Sequence, residues 1–549
     1  MTTRQPTLTS PGAYFEIGDE VVRGTRMPVF TERARSLRQL LEDTRRFSDR
    51  TYVIEGDTRL DYGTHLEIVD GLAAALRDRH GIEPGDRVAI FAGNRWEWVV
   101  AFWAIATAGA IPCAFNGFWT QDEFVHATGL VDPALIIGDS DRLARVTEAT
   151  AGRSVLNLDE VRSLSQAYPD APPVSVPAAE DDTAVLIFTS GTTGYPKAVA
   201  TSHRGVVGFA QLSAYQEAFA RVMMGGPIPE SFADVPPSDD VILVTSPLFH
   251  TSMLYGVFVR AMLRGSAAVL LPGRFEPERV LAAIDQERVT SWLALGSTAA
   301  RVCAVPDRER YDTSSLMHVG VGGAPVSPAV QEGLRETFPR ICDRLSMGYA
   351  STESVATVAS IGGPEFNAHP TSTGRATVTV EIELRDPSGA PVADGEMGEI
   401  HVRSPYVMLG YWNDPPASEA VLMGDGWLAM GDVGRRVDGL LYIDSRARDL
   451  ILVNAENVSP TEVEYRLEAH PDITEAAVFA VDDPLTGDAV CAVVVADASA
   501  VTSEDLSTWC RDALAHYKVP TQWHVVQEPL PRTASGKLVK REIRALVEG

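Results

Sequence analysis

Residues 189–197 read Thr-Ser-Gly-Thr-Thr-Gly-Tyr-Pro-Lys and follow directly on the apolar run Thr183–Phe188. The apolar run has the length and character of a buried strand. The stretch after it concentrates hydroxyls, flexible backbone and one lysine at that strand's end. Glycine lets backbone N–H groups come close to an anion, and Ser190, Thr192 and Thr193 add donors. Lys197 adds a point charge. Such a loop suits a polyphosphate, with Thr189, Ser190, Gly191, Thr192, Thr193, Gly194 and Lys197 as the candidate cradle. It is not a Walker A loop, because the lysine follows Pro196 and Ala198 stands where Ser or Thr would meet magnesium. A polar surface turn is the plain alternative for such a loop taken alone.

Outward from this strand, apolar runs alternate with helical patterns. Strands are expected at Arg87–Ala92, Leu135–Ile137, Ala184–Thr189, Val241–Thr245, Ala267–Leu271 and Ser291–Leu295, an alternation that favours parallel α/β layers. Thr64-x-x-Glu67 signals a helix start, Leu66, Val69, Leu72, Ala73 and Leu76 mark its apolar face, and Gly81 can end it. The longest uncharged stretch, Val99–Thr120, is interrupted by Gly109 and Pro112. It reads as a buried helix over Trp96–Ala108, a turn and a strand rather than a membrane span. Between Glu381 and Arg403 the pattern changes to short strands, Val378–Leu384 and Glu399–Val402, a small β unit. Beyond the charged stretch Asp444–Asp449 an α+β pattern begins: helix Pro460–Glu468, strands Ala476–Val481 and Val490–Ala496, helix Ser503–His516. The expected architecture is a large N-terminal α/β domain with layered sheets and a small β unit, plus a mobile α+β C-terminal lid. Its boundaries are an extension over 1–35, the large domain over 36–444, a hinge at 445–448 and the lid over 449–549.

A chain of 549 residues is more than one hydrophobic core serves. The net charge of −27 argues against nucleic-acid partners and anionic membrane surfaces, so a polyanionic substrate must be held by a few local cations. The five cysteines are scattered, with neither a metal-ligand spacing nor a disulfide framework. A reducing cytoplasm is the expected compartment, and no integral membrane segment is expected. Oligomeric state leaves no mark on the sequence.

Further motifs follow in order. Pro247-Leu248-Phe249-His250 comes after Val241–Thr245, and Gly322-Gly323-Ala324-Pro325 after Leu316–Val321. Tyr349-Ala350-Ser351-Thr352-Glu353 is next, then Gly431-Asp432, Arg446-Ala447-Arg448-Asp449 and Glu456-Asn457-Val458-Ser459-Pro460. Pro531-Arg532-Thr533-Ala534-Ser535-Gly536-Lys537 lies near the end. From about Ser36 onward the chain resembles the adenylate-forming superfamily, the acyl-CoA synthetases and their relatives.

The resemblance implies roles. Activating a carboxylate with ATP means bringing two anions together and stabilising charge at the α-phosphorus, so catalysis is chiefly positioning and electrostatics. Lys537 would be carried by the lid onto the α-phosphate and the carboxylate. Thr352 would bind near the α-phosphate and Glu353 would hold Mg²⁺, a hard cation that takes one or two protein carboxylates. Tyr349 would cover the adenine, with core packing as its plain alternative. Gly323, Ala324 and Pro325 would let backbone approach the adenine and the acyl group. Asp432 would accept from the ribose hydroxyls, with Arg446 close by. His250 would lie near the acyl group, with a hydrogen-bonded core histidine as the alternative. Arg448 falls at the family's pivot.

The implied reaction joins a small-molecule carboxylic acid, ATP and Mg²⁺ to an acyl-adenylate and then passes the acyl group to CoA; fatty-acid metabolism is the generic setting. The alternative is an adenylating enzyme that uses an amine, a carrier protein or nitrite instead of CoA. Several family glycines are replaced here, by Ala198, Ala350, Ser445 and Ala455. Any of these in a left-handed backbone would cost about 1–2 kcal/mol. Ala455 falls where the pantetheine route is expected. The small residues Gly296–Ala300 replace a bulkier family pattern and are expected to widen or polarise the acyl pocket.

Overall fold

The computed structural model describes residues 8–169, 171–172, 176–189, 195–223, 225–226, 237–446, 449–453, 456–483, 487–497, 501–533 and 536–548. Two sheets with parallel centres carry the large unit. In the first, seven strands run in the order Gly410–Tyr411, Lys197–Ser202, Thr183–Thr189, Ile111–Ala114, Arg87–Phe91, Leu135–Gly138, Val155–Asn157. The second has nine, in the order Arg375–Ala376, Ala359–Gly362, Leu345–Tyr349, His318–Gly322, Ser291–Leu295, Val241–Val244, Ala267–Leu270, Thr51–Glu55, Thr58–Asp61. Parallel pairing dominates the middle of each; antiparallel strands finish both edges of the nine-stranded sheet and one edge of the seven-stranded sheet, whose other edge strand, Val155–Asn157, pairs in parallel.

The layering follows from the apolar runs. Strands buried on both faces need helices on both sides. Helices Tyr62–His80, Trp96–Thr107 and His203–Met223 supply apolar side chains to the large core that the two sheets share. Trp96–Thr107 is almost wholly buried, with Trp98 and Trp103 at 0% exposure, and this explains why its one charged residue, Glu97, is paired with Arg95 and the rest is uncharged. No helix among the described residues is long and apolar enough to cross a membrane.

Several boundaries differ from the sequence expectation. The helix assigned to a Thr64 cap begins earlier, at Tyr62. Asp61, ending its strand, accepts the Thr64 amide at 2.6 Å and is the N-cap. The helix expected over Ser503–His516 stops at Arg511, because the Ala513 and Leu514 amides both turn back to the Cys510 carbonyl. The polar stretch before Ser36 contains a hairpin, Ile17–Val22 with Thr25–Phe30. Arg33 holds it to the body, bonding Glu20 and Glu180 at 2.6 Å each.

The small β unit is a four-stranded antiparallel sheet, Glu381–Arg385, Met397–Arg403, Trp427–Val437 and Leu440–Arg446. Its last strand carries the chain to Arg446, so Ser445 and Arg446 are strand residues; the expected pivot Arg448 lies outside the described residues. The C-terminal unit has its own sheet, with Gly487–Val495 between Glu475–Asp483 and Gln522–Val526, and its own apolar clusters around Val463, Val478, Val493 and Ile543.

Candidate active site

The loop quoted first closes a hairpin. Thr189 and Lys197 are partners across antiparallel strands, so the loop between them leaves and re-enters the sheet at one place. Ser190, Gly191, Thr192, Thr193 and Gly194 lie outside the described residues. Lys197 sits over the Tyr411 ring, 4.7 Å from its centroid. The Tyr411 hydroxyl donates to Glu353 Oε1 at 2.9 Å. Sequence reading missed Tyr411, whose only mark is a Gly-Tyr-Trp run with no chemistry of its own. The structure makes it the link between the phosphate-loop strand and the expected metal ligand.

Glu353 stands in a turn made rigid by two serines. Ser351 N donates to Ser354 Oγ at 2.9 Å and Ser354 N returns to Ser351 Oγ at 3.0 Å. The Met408 amide donates to the Glu353 carbonyl at 2.9 Å. Val355 completes the turn with φ of 62°, a costly backbone for a β-branched residue that its fully buried side chain holds in place. Thr352 lines the cleft beside this turn. Glu353 offers a single carboxylate, and no cluster of three or more His, Cys, Asp or Glu is placed for a metal among the described residues. That donor set fits a cation that shares its coordination with phosphate oxygens.

Tyr349, Asp432 and Arg446 form one unit. The Tyr349 hydroxyl donates to Asp432 Oδ2 at 2.6 Å, and Arg446 Nε meets Asp432 Oδ1 at 2.9 Å. Asp432 and Arg446 are paired across neighbouring antiparallel strands, which fixes the ion pair from the backbone. Burial pushes the Asp432 carboxyl up, and Arg446 opposes that shift. A carboxylate has about four acceptor positions, so Asp432 retains capacity beyond these two partners. Tyr349 itself is buried, with its hydroxyl engaged.

A cavity of about 2590 Å³ is lined by Thr189, His250, Gly323, Thr352 and Lys537, whereas Lys197, Ala324, Pro325, Tyr349, Glu353, Asp432 and Arg446 do not line it. His250 Nε2 is buried there without a hydrogen-bond partner. Burial, then the charge of Lys537, pulls the imidazole down to about 4. His250 thus borders the cavity as a neutral imidazole whose buried Nε2 has no protein partner, a polar group left for a ligand or a small shift of the ring to satisfy.

Lys537 comes from the C-terminal unit. Its turn closes with the Gly536 amide on the Thr533 carbonyl at 2.8 Å and the Thr533 amide on the Lys537 carbonyl at 2.8 Å. Gly536 has φ of 81°, and a Cβ there would lie 3.1 Å from Ser297 N. Only glycine fits both the turn and the approach. The side chain then reaches across Gly323, where a methyl group would stand 4.0 Å from Lys537 Cε. Lys537 is open to the water of the cleft yet ringed by protein. That crowding, then the charge of Arg446, lowers its amine below the usual range, while Asp432 and Glu353 pull the other way.

Two expectations about substituted positions change. Ala198, Ala350 and Ser445 are absent from the residues with positive φ, so the feared left-handed cost does not arise at them. Ala198 is an ordinary strand residue opposite Phe188. The small residues Gly296–Ala300 do not line the cavity, which stops at Leu295. Gly296 and Ser297 instead receive the Gly536 turn, so their smallness serves lid docking rather than pocket width. Ala455 lies outside the described residues.

A single carboxylate at Glu353, a buried Asp432 paired with the exposed Arg446, and Lys537 brought in by a second unit are the arrangement expected of an adenylate-forming enzyme. The chain belongs to the AMP-binding enzyme family: that family's pattern matches residues 40–412, and the AMP-binding enzyme C-terminal domain matches residues 462–537. It is 34% identical to a feruloyl-CoA synthase of Amycolatopsis sp, over 90% of this chain and 95% of the relative. With a 4-coumarate–CoA ligase of Humulus lupulus it shares 30% identity, over 92% of each. Among solved structures, the amide bond synthetase McbA of Marinactinospora thermotolerans is 32% identical with a TM-score of 0.77, over 92% of this chain and 99% of that one.

Proposed function

We propose that this chain is an ATP- and Mg²⁺-dependent acid–CoA ligase acting on aryl-substituted acids of the hydroxycinnamate type. The observation that carries the reading is Lys537, presented across Gly323 into the same cavity as His250 and Thr352. In this arrangement the acid lies between His250 and Lys537, with the α-phosphate beside Thr352. Lys537 neutralises the approach of the two anions and the charge that builds at phosphorus. Glu353 would hold Mg²⁺ through its carboxylate, the ion supplying positive charge against the phosphates, and Tyr411 fixes that carboxylate's direction. Asp432 holds the ribose, and Arg446 holds Asp432. The feruloyl- and coumarate-activating relatives, at 34% and 30% identity, support the acid class and CoA as acceptor.

The test is pyrophosphate release and AMP formation with 4-hydroxycinnamate, ferulate, benzoate and hexadecanoate, with and without CoA, and mass detection of the thioester. Pyrophosphate release that depends on an aryl acid, with CoA accelerating AMP formation, is the expected result. A second reading rests on the 32% identity to an amide bond synthetase over 99% of its length: the same adenylate would pass to an amine. Amide formation from an amine panel, with no acceleration by CoA, would select that reading.

A further inference from the structure

The cavity does not end where the acid is activated. It continues along one face of the nine-stranded sheet, under helix His203–Met223. Strand register sorts its floor into rows. Leu295, Gly322, Gly348 and Ser360 form the first, Leu293, Gly320 and Ser346 the second, Ser291 and His318 the third. Successive rows are two residues apart, roughly 7 Å.

Glycine keeps the first two rows flat. A Cβ on Gly322 would lie 2.9 Å from the Gly348 carbonyl, and one on Gly320 would lie 3.1 Å from Leu293 Cδ1. Phe209 and Ser213 of the helix form the opposite wall, with Gly256 from the π-helical stretch Leu254–Val259. A Cβ on Gly256 would touch the Phe209 ring at 3.4 Å. A slot of this shape, glycine on one side and an aromatic ring on the other, accepts a flat group end-on.

Along the first row, two strands and roughly 10 Å beyond Gly322, the lining turns polar. Gln216 stands seven residues, about 10 Å, along the helix from Phe209. Its Nε2 donates to Ser360 Oγ at 2.9 Å, and Ser346 lies in the row below. Beyond it Arg260 and Glu217 pair at 3.1 Å, and the Thr290 hydroxyl donates to Asp240 at 3.1 Å. An alkyl tail reaching this depth would strip water from these groups and return no hydrogen bond.

We infer that Gln216, oriented by Ser360, is the specificity-determining residue for the acid: it reads a hydrogen-bonding substituent about 10 Å in from the carboxylate, at the far end of a flat ring. With its amide nitrogen committed to Ser360, Gln216 keeps its carbonyl oxygen as an acceptor for a ring hydroxyl. The inference rests on the ligase reading, whose adenylation step supplies the readout.

The experiment compares 4-hydroxycinnamate with its isostere 4-methylcinnamate by kcat/KM for pyrophosphate release. The wild-type protein should favour the hydroxy acid by at least about tenfold, because a buried acceptor left unpaired penalises the methyl group. Gln216→Leu should reverse the preference, chiefly through KM for the hydroxy acid. Ser360→Ala should move it the same way by a smaller factor. Equal use of the two acids by the wild-type protein overturns the inference, and so does an equal loss on both acids in a folded Gln216→Leu. The wild-type comparison decides the matter if that variant does not fold. Absence of pyrophosphate release with every acid brings down the ligase reading, and this inference with it.

Discussion

The proposed adenylation places its decisive charge on a single amine. Lys537 meets three charged neighbours, Arg446 against it and Asp432 and Glu353 for it. Its position costs solvation, and the cost is recovered when an acid and a triphosphate arrive. Lys537→Ala should therefore lower acid-dependent pyrophosphate release by roughly 10²–10³-fold, the scale for one preorganised electrostatic donor. A near-normal rate in the purified variant would remove Lys537 from the mechanism. Asp432 predicts a different signature. Contacts with a ribose would hold in ground and transition state alike, so Asp432→Ala should raise the KM for ATP more than it lowers kcat; a loss confined to kcat would contradict that role. Candidates of this kind stand out in the sequence because each sits in a short motif of unusual composition; the structure gives their positions and leaves their roles to these measurements. Tyr411 and Gln216 do not stand out, since a tyrosine and a glutamine carry no signature until folding sets one beside Glu353 and the other beside Ser360.

Most elements could be read from apolar periodicity alone: Ser291–Leu295 and Pro460–Glu468 fall where the pattern puts them. Caps and ends were harder, because Asp61 and Thr64 compete for one helix start and only the preceding strand decides between them. The role of Gly296–Ala300 was misread for a related reason. Small residues look alike whether they widen a pocket or receive a neighbouring turn. Helix Pro460–Glu468 adds a prediction of its own. Glu468, at its end, bonds Ser327, the N-cap of helix Pro328–Thr337 in the large unit. Burial lifts its carboxyl to about 7; Ser327 and Arg532 act to lower it, while Glu464 and Glu475 act to raise it. A carboxyl whose pKa is raised on docking favours the docked state below its free value near 4.5, and loses that contribution as pH rises through about 7. Docking of the C-terminal unit, read by protection of helix Pro328–Thr337 from hydrogen exchange, should weaken between pH 5 and 8. One titrating group changes the docked ratio by at most about tenfold per pH unit. Glu468→Gln should flatten that dependence, and an unchanged profile would show that Glu468 does not govern docking.

The C-terminal unit sits where the proposed first half-reaction would require it. The Gly536 turn rests on Ser297, Lys537 spans Gly323, and Glu468 meets Ser327, so three contacts hold the C-terminal unit with one face toward the cleft. Thioester formation puts a different demand on the same space. In the proposed reaction CoA would have to reach an acyl group held beside Lys537, along a path that the docked C-terminal unit would crowd. The chain between the units is short, with strand structure up to Arg446 and a new strand from Ile451. Any reorientation must therefore concentrate its φ/ψ change in a few residues, Arg448 among them. Proline fixes φ near −65°, so Arg448→Pro should hold the C-terminal unit in one orientation. If that orientation is the present one, acid-dependent pyrophosphate release should survive while CoA-dependent thioester formation falls by at least about tenfold, the scale of a lost conformational step. Single-turnover assays that follow each half-reaction separately would show the split. Equal losses in both steps, in a variant as stable as the parent chain, would mean that the two units work without changing places and that CoA enters past Lys537 as it stands.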